Sequence, residues 1–232
     1  YGLTGMAEGE FAVQDLTWEI VNKMNLGVEL GFLNGMIDLQ LDYFDERRKD
    51  IFMPRESVPM TAGFMKQPWK NFGKVTNQGV EVSLNVNKQF GKDLFVSLMG
   101  TFTYAHNEIT EKDEPSAVVG TNRAETGHPV GQLTGYIAEG LFTEDDFEDV
   151  STGKLKEGIP TQSFVSKLRP GDIRYRDVNG DGKVDVFDKS PIGGTKDPEI
   201  VYGFGLNMKY KDLDFGALFQ GIGRSWNILG SS

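Results

Sequence analysis

The sequence predicts an all-β protein built from antiparallel strands. In three separate stretches, apolar and polar residues alternate one by one, which is the period of a β-strand and not of a helix. Each stretch holds two such runs joined by a short turn, which is the pattern of a β-hairpin. No run of about 18 apolar residues is present, so the sequence excludes a helical membrane span.

The three hairpins can be placed by their turns. The first turns at Asn34-Gly35, a pair that tolerates positive φ, the second at 91–93 and the third at 211–212. We expect the apolar parity to form one surface, and it includes Val28, Leu39, Val82, Leu206 and Phe215. We expect the polar parity to form the opposite surface, and it includes Glu29, Asp38, Glu81 and Asn207.

The connections differ in length at the two ends of these hairpins. The turns are short, whereas the connections at about 51–72 and 108–198 are long. Short turns at one end and long loops at the other are typical of an outer-membrane barrel. A soluble antiparallel sheet with one buried face produces the same alternation, so periodicity alone leaves both folds open.

The chain divides into three regions on this interpretation. Residues 1–107 are predicted to form two hairpins of barrel strands, with one longer loop at about 51–72. Residues 108–198 are predicted to form a long external loop region, which is too long to remain unstructured in a compact protein. Residues 199–232 are predicted to hold the last hairpin and the start of a further loop.

Composition excludes several functions. The chain has 232 residues, no Cys, two His, and 34 acidic against 24 basic residues, which gives a net charge of −10. The lack of Cys rules out thiolate nucleophiles and Cys-based metal sites. Because a phosphate backbone is bound by clustered Lys and Arg, nucleic acid is not an expected partner. No catalytic motif is recognisable, and we expect no enzyme activity.

The sharpest chemical motif lies at 177–188. Oxygen-bearing side chains fall at loop positions 1, 3, 5, 9 and 12, with Gly182 at position 6, which is the spacing of an EF-hand calcium loop. The predicted calcium ligands are the side chains of Asp177, Asn179, Asp181, Asp185 and Asp188 and the backbone carbonyl of Lys183. We expect the ion to order the loop and not to perform chemistry.

Two features qualify this calcium interpretation. Asp188 stands where the EF-hand pattern has Glu, so full helix-loop-helix switching is not expected. An acidic turn rich in Asn, Asp and Gly gives a similar composition without any metal. Magnesium is disfavoured because it requires tighter octahedral geometry.

Several strings of the sequence occur together, and in the same order, in one known family. They are Asp15-Leu16-Thr17-Trp18-Glu19, Asp42-Tyr43-Phe44, Asn77-Gln78-Gly79-Val80-Glu81, Gly127-His128-Pro129-Val130-Gly131, Gly171-Asp172-Ile173, Pro191-Ile192-Gly193, Tyr202-Gly203-Phe204 and Phe219-Gln220-Gly221. With these strings the chain resembles the C-terminal barrel portion of the SusC/RagA-type TonB-dependent outer-membrane transporters along nearly its whole length.

The resemblance implies a 22-stranded barrel in the outer membrane of a Gram-negative bacterium, plugged by an N-terminal domain. It implies import of glycan oligomers or peptides, with energy relayed by the TonB complex and with a SusD-like surface lipoprotein as partner. Outer-membrane lipid would contact the barrel. No plug domain, TonB-contact segment or final aromatic-ended barrel strand is visible, so the chain resembles roughly a quarter of such a transporter. Six strands cannot close the barrel.

Two other functions were compared with this one. A soluble secreted calcium-binding β-domain that binds glycan or a partner protein would use the Asp177 loop as dockerin modules do, but only one such loop is present. A calcium-dependent glycoside hydrolase would need a pair of carboxylates that sequence cannot locate. The importer segment is therefore the predicted function, and the soluble domain is its alternative.

Overall fold

A computed structural model describes residues 13, 15–62 and 66–230 of the chain. The predicted ranges 1–107 and 199–232 also include residues 1–12, 14, 63–65 and 231–232, which lie outside the described residues. Within the described residues, all regular structure is strand or short 3-10 helix. None of the helices in this described part of the chain is long and apolar enough to cross a membrane.

Fourteen strands and three 3-10 helices occur in the described part of the chain. The strands, numbered along the chain, are β1 Ile20–Phe32, β2 Ile37–Pro54, β3 Trp69–Phe90, β4 Leu94–Glu111, β5 Thr134–Gly135, β6 Ala138–Leu141, β7 Phe147–Asp149, β8 Lys154–Leu155, β9 Thr161–Gln162, β10 Ile173–Tyr175, β11 Lys183–Val184, β12 Ser190–Pro191, β13 Ile200–Tyr210 and β14 Leu213–Gly223. The 3-10 helices are Met60–Ala62, Glu144–Asp146 and Val186–Asp188.

The six long strands form one antiparallel sheet in the order β1-β2-β3-β4-β13-β14. Five neighbouring pairs are therefore present, and three of them are the predicted hairpins. The pairing of β4 with β13 joins strands that are separated by the whole region 112–199. Within the described residues β1 and β14 are the edge strands of this sheet.

The predicted assignment of residues to the two faces is confirmed by the strand register. Residues directly opposite each other in an antiparallel pair lie on the same face. Leu39 pairs with Leu30 and Leu84, and Leu84 pairs with Gly100. The other apolar positions lie in neighbouring rows of this face, whereas Glu29, Asp38, Glu81 and Asn207 have the opposite parity within their strands.

Three strands are longer than the alternation indicates. β2 continues to Pro54, β3 begins at Trp69, and β4 extends through Glu111, beyond the predicted boundary at 107. The predicted loop at 51–72 accordingly narrows to residues 55–68. Residues 45–50 are charged on both parities, so the hydrophobic period disappears there although the backbone pairing continues.

The region between the last two long strands forms its own compact unit, made of residues 114–124 and 132–194. It contains four two-stranded sheets and a small core of Phe142, Phe147 and Leu168. Because these sheets consist of strands of two to four residues, no sustained alternation is visible in the sequence. Short ladders and a small core therefore give this region structure of its own.

One glycine of the sheet allows a close approach of its neighbours. A Cβ atom on Gly79 would collide with the backbone carbonyl oxygen of Tyr104 and with the ring of Phe44. The ring therefore occupies the space that a side chain at position 79 would need. Gly100, also inside a strand, has open space around its Cβ position.

We predict that Gly79→Ala destabilises the sheet by about 1–3 kcal/mol, because the backbone of β4 cannot move aside without distorting the ladder. Chemical unfolding of the intact protein measures the change. Gly100→Ala is the matched control, since it adds the same methyl group to a strand interior without a collision. Equal stabilities of the two variants would contradict the proposed packing.

Candidate functional site

The polar face of the six-stranded sheet carries two kinds of surface. On β1 to β3 its residues are mainly acidic or hydrogen-bonding, namely Glu29, Asp38, Gln40, Asp42, Glu81, Ser83 and Asn85. On β4, β13 and β14 the same rows carry fewer polar residues and no charged ones, namely Met99, Thr101, Thr103, Val201, Gly203, Gly205, Leu218, Gln220 and Ile222. One face therefore presents an acidic and hydrogen-bonding surface and, beside it, an uncharged surface that contains two glycines.

The opposite face is a continuous apolar band. Its central row runs from Leu30 through Leu39 and Leu84 to Phe204 and Phe219. Phe204 and Phe219 stack with their ring centroids 4.8 Å apart, and both are more than half exposed. An exposed apolar surface of this extent is a mark of contact with a membrane or a partner and does not suit an isolated soluble sheet.

The height of this band can be estimated from its rows. On β13 the apolar positions run from Ile200 to Met208, eight residues apart, which corresponds to about 27 Å along the strand. At a strand tilt of about 40° the height becomes about 21 Å, close to the apolar band of about 25 Å in outer-membrane barrels. The next row toward the loops is polar and contains Asp45, Gln78 and His106.

The predicted metal residues at 177–188 form a tight turn. Asp177 accepts backbone N–H bonds from Gly180 at 2.7 Å and from Gly182 at 2.8 Å. Both glycines have positive φ, 75° and 84°, so the sharp turn expected at position 6 is present. The carboxylate at the first loop position therefore faces into the turn.

The third and fifth loop positions continue the same pattern. The side-chain oxygen of Asn179 accepts the Asp181 N–H at 2.9 Å, and Asp181 in turn accepts the Lys183 N–H at 2.9 Å. The ammonium of Lys183 contacts Asp185 at 3.0 Å. Hydrogen bonds from the Phe187 N–H and from Lys183 lower the pKa of Asp185 below its ordinary value.

Asp188 closes the loop. Its side chain is fully buried and accepts N–H bonds from Val178 at 2.8 Å, Asn179 at 3.3 Å and Asp185 at 2.7 Å. One carboxylate thereby connects the first turn of the loop to its last. The short side chain that departs from the EF-hand pattern thus binds the backbone at both ends of the loop.

The structure places all six predicted residues in one loop without building a carboxylate cage. Among the described residues, which include the whole of 177–188, no group of three or more His, Asp or Glu side chains is arranged to hold a metal ion. The carboxylates and the Asn179 amide instead bind backbone N–H groups of the turn. The Oδ1 atom of Asp188 accepts two of these bonds, from Val178 and Asn179, whereas the carboxylate oxygens of Asp177, Asp181 and Asp185 accept one each and keep a second lone pair.

Two polar clusters were not predicted from the sequence. Asp113, which is buried, accepts bonds from the Arg55 guanidinium at 2.9 Å and from the Ser57 N–H at 3.1 Å. Burial raises the pKa of Asp113, but the bonds from Arg55 and Ser57 outweigh it and hold the pKa below its ordinary value. The cluster fastens the chain after β2 to the chain after β4.

The second cluster joins His106, Glu199 and Arg224. Glu199 lies 2.5 Å from the His106 Nδ1 atom and accepts a bond from Arg224 at 3.1 Å. Burial raises the pKa of Glu199, but these two partners more than compensate and lower it. Because the partners are far apart in sequence, only a pairing of β4 with β13 could have revealed the cluster.

The sequence model of the family described as TonB dependent receptor-like, beta-barrel, matches residues 1–219. The chain belongs to this family. TonB-dependent receptors of this kind lie in the outer membrane of Gram-negative bacteria and are transporters, not enzymes. In such a barrel the apolar face contacts lipid, so the band centred on Leu84 is the lipid-facing surface.

Individual relatives support the same assignment. The chain is 28% identical over 207 residues to the TonB-dependent receptor SusC of Bacteroides thetaiotaomicron, covering 87% of this chain and 19% of SusC. It is 27% identical over 227 residues to the TonB-dependent receptor P26 of Formosa agariphila, covering 94% of this chain and 22% of that protein. The chain thus spans about a fifth of the length of these relatives.

Solved structures show the same fold. The RagAB peptide importer in its closed-closed state matches with a TM-score of 0.65 and 22% identity, over 97% of this chain and 24% of the other. Its open-open state matches with a TM-score of 0.66 and 22% identity, over 96% of this chain and 22% of the other. The barrel strands therefore fold as in a SusC/RagA-like barrel.

We predict that Leu84→Lys, in the central row of the lipid-facing band, destabilises the assembled barrel by about 2–4 kcal/mol. Ser83→Lys introduces the same charge one residue away, on the polar face, and should be tolerated. The measurement is the fraction of the complete receptor that reaches the outer membrane as a folded barrel. If Ser83→Lys were the more damaging variant, the two faces would be reversed.

Proposed function

We propose that this chain is a segment of a TonB-dependent importer that takes up oligosaccharides or peptides together with a SusD-like surface lipoprotein. The observation that carries the proposal is the six-stranded sheet with one lipid-facing band and one polar face, within a family of TonB-dependent receptors. The similarity to SusC and to the RagAB peptide importer supports the nutrient classes and the partner.

The sheet edges support the need for further strands. Within the described residues β1 and β14 each pair on one side only. An unpaired edge in lipid leaves backbone groups without hydrogen bonds, each costing several kcal/mol. We propose that other strands of a 22-stranded barrel complete both edges, and that TonB acts on the complete receptor through its plug domain.

We further propose that the compact unit within 108–198 lies on the external side of the membrane. The turns between paired strands are short, at 33–36, 91–93 and 211–212, and a barrel has its short turns at the periplasmic end. The long connections 55–68 and 112–199 then project outward. An external position would allow this unit to meet the lipoprotein or the nutrient.

Deleting the gene for the complete receptor tests the function. We expect growth on at least one peptide or oligosaccharide source to be lost, both in this strain and in a strain without TonB, and to return on complementation. Growth on glucose is the control.

In the complemented strain a Cys introduced at Asp145 should react with an impermeant maleimide. Unchanged growth on every source would refute the importer, and labelling at Asn34 instead would invert the topology.

We also propose that the 177–188 loop binds one calcium ion through Asp177, Asn179, Asp181, Asp185 and Asp188 and the Lys183 carbonyl. The EF-hand spacing and the two left-handed glycines support the proposal, and the free lone pairs of the carboxylates leave room for an ion. Four carboxylates in one short loop repel one another, and a cation would relieve this repulsion.

We expect chelation of calcium by EGTA to increase proteolysis of the purified receptor within 177–188. Binding would add stability that grows with free calcium, with a dissociation constant on the order of 10⁻⁴ to 10⁻³ M for an external site. Asp181→Ala should abolish the difference between calcium and EGTA. Asp145→Ala, which removes an exposed acid from the same unit, should preserve it. If calcium and EGTA gave the same rate of proteolysis in the wild-type receptor, the loop would be an acidic turn that binds no calcium.

A further inference from the structure

A cleft lies on the polar face of the sheet, at its loop end. It has a volume of about 610 Å³, inside the range of about 300–1,000 Å³ that is typical of ligand sites. Asn77 and Asn107 pair across β3 and β4 and form part of its wall. The cleft lies beyond the lipid-facing band, at the end from which the proposed importer would receive its substrate.

The floor of the cleft is aliphatic. It consists of Ile51, Met53, Val75, Ile109 and Val130. A β-bulge between Arg48 and Ile51, with Asp50 at a φ of 59°, shifts the strand so that Ile51 comes opposite Gly73. A Cβ atom on Gly73 would collide with the Met53 methyl group, so this glycine leaves the space that Met53 occupies.

The rim carries both signs of charge. Its bases are Arg48 and Lys112, and its acids are Glu19, Glu46, Glu111, Glu125 and Asp197. Lys112 contacts Glu125 at 2.7 Å and Glu56 at 3.6 Å. Burial lowers the pKa of Lys112, but these acids raise it above its ordinary value, so the ammonium stays charged.

Arg48 is the base that is best placed to bind a ligand. It donates one bond, from an Nη1 atom, to Glu19 at 3.1 Å, and its side chain is 45% exposed. A guanidinium has five N–H donors in a planar fork that matches a carboxylate. Arg48 can therefore keep its bond to Glu19 and still bind a second carboxylate.

The lining discriminates between the two proposed nutrient classes. No aromatic ring is among the described residues that line the cleft, so it offers no flat platform for a sugar ring. A peptide supplies a carboxylate for Arg48, an ammonium for the acids, and aliphatic side chains for the floor.

We infer that this cleft binds an oligopeptide, with a peptide carboxylate on Arg48 and an aliphatic side chain on the floor of Ile51, Met53 and Val75. The inference rests on the proposed importer and specifies its substrate class. The carboxylate belongs either to the C-terminus of the peptide or to an acidic side chain, and the same chemistry recognises both.

The test uses the complete receptor, purified in detergent, and calorimetric binding of short leucine–alanine peptides. One pair of peptides differs only in whether the C-terminus is free or amidated, and a second amidated pair differs only in Glu or Gln at a central position. Wild type should bind the carboxylate-bearing member of at least one pair roughly tenfold more tightly, the value of one charge-assisted hydrogen bond. The responsive pair identifies the source of the carboxylate.

Arg48→Gln should remove this discrimination, because it weakens binding of the carboxylate-bearing peptide about tenfold and changes the affinity for the other peptide little. Lys49→Gln is the matched control, because it removes a base from the next residue, on the opposite face, and should behave as wild type. The peptide assignment would be overturned if Arg48→Gln lowered the affinity for both members of each pair equally. It would also be overturned if the receptor bound maltoheptaose and not the peptides. If the receptor took up only an oligosaccharide, and did so through TonB, the peptide assignment would be wrong but the proposed importer function would stand.

Discussion

The register of the six long strands, which is uninterrupted across the apolar band, is the constraint on which the rest of this structure depends. Side chains alternate between faces with a period of two, so a slip of one residue would exchange the faces of a whole strand. Such a slip in β2 would place Asp38 on the face of Leu30 and Leu84, and a slip in β3 would place Glu81 on the face of Leu30 and Leu39. The register shifts in the long sheet occur only at 48–52 and 74–75, beyond the apolar band. The band itself is therefore free of bulges, and its two faces remain separate.

Beyond the apolar band, the loop-side ends of the same strands form the cleft beside Arg48. Both faces meet polar surroundings there, so charged residues occupy both parities and the bulge near Asp50 becomes permissible. The bulge brings Ile51 onto the polar face beside Val75, while Arg48 and Glu19 pair at the rim. A local break in regularity thus produces a cleft with an aliphatic floor and a charged rim. Bulges next to functional sites commonly re-aim side chains in this way.

The compact unit after β4 is held together mainly by turns and backbone hydrogen bonds. Its apolar core is small, and its strands are too short to contribute long ladders. In the 177–188 loop, Asp177 and Asp188 accept hydrogen bonds from backbone N–H groups of the turn. The ordering of such a region is costly in conformational entropy. A bound cation would help to offset this cost, which is the role that the calcium proposal gives to it.

The sequence by itself determined the features that depend on neighbours along the chain. Strand parity, the hairpin turns and the sharp turn at Gly182 follow from residues two to six positions apart, so periodicity and turn chemistry predict them. Tertiary structure decided the pairing of β4 with β13, the Asp113 and Glu199 clusters, and the cleft beside Arg48. The contacts Arg55–Asp113 and His106–Glu199 join residues 58 and 93 positions apart, and Arg48–Glu19 joins residues 29 positions apart. Alternation states which face a residue occupies, but it does not state which strand lies beside it, because every strand of the sheet carries the same period.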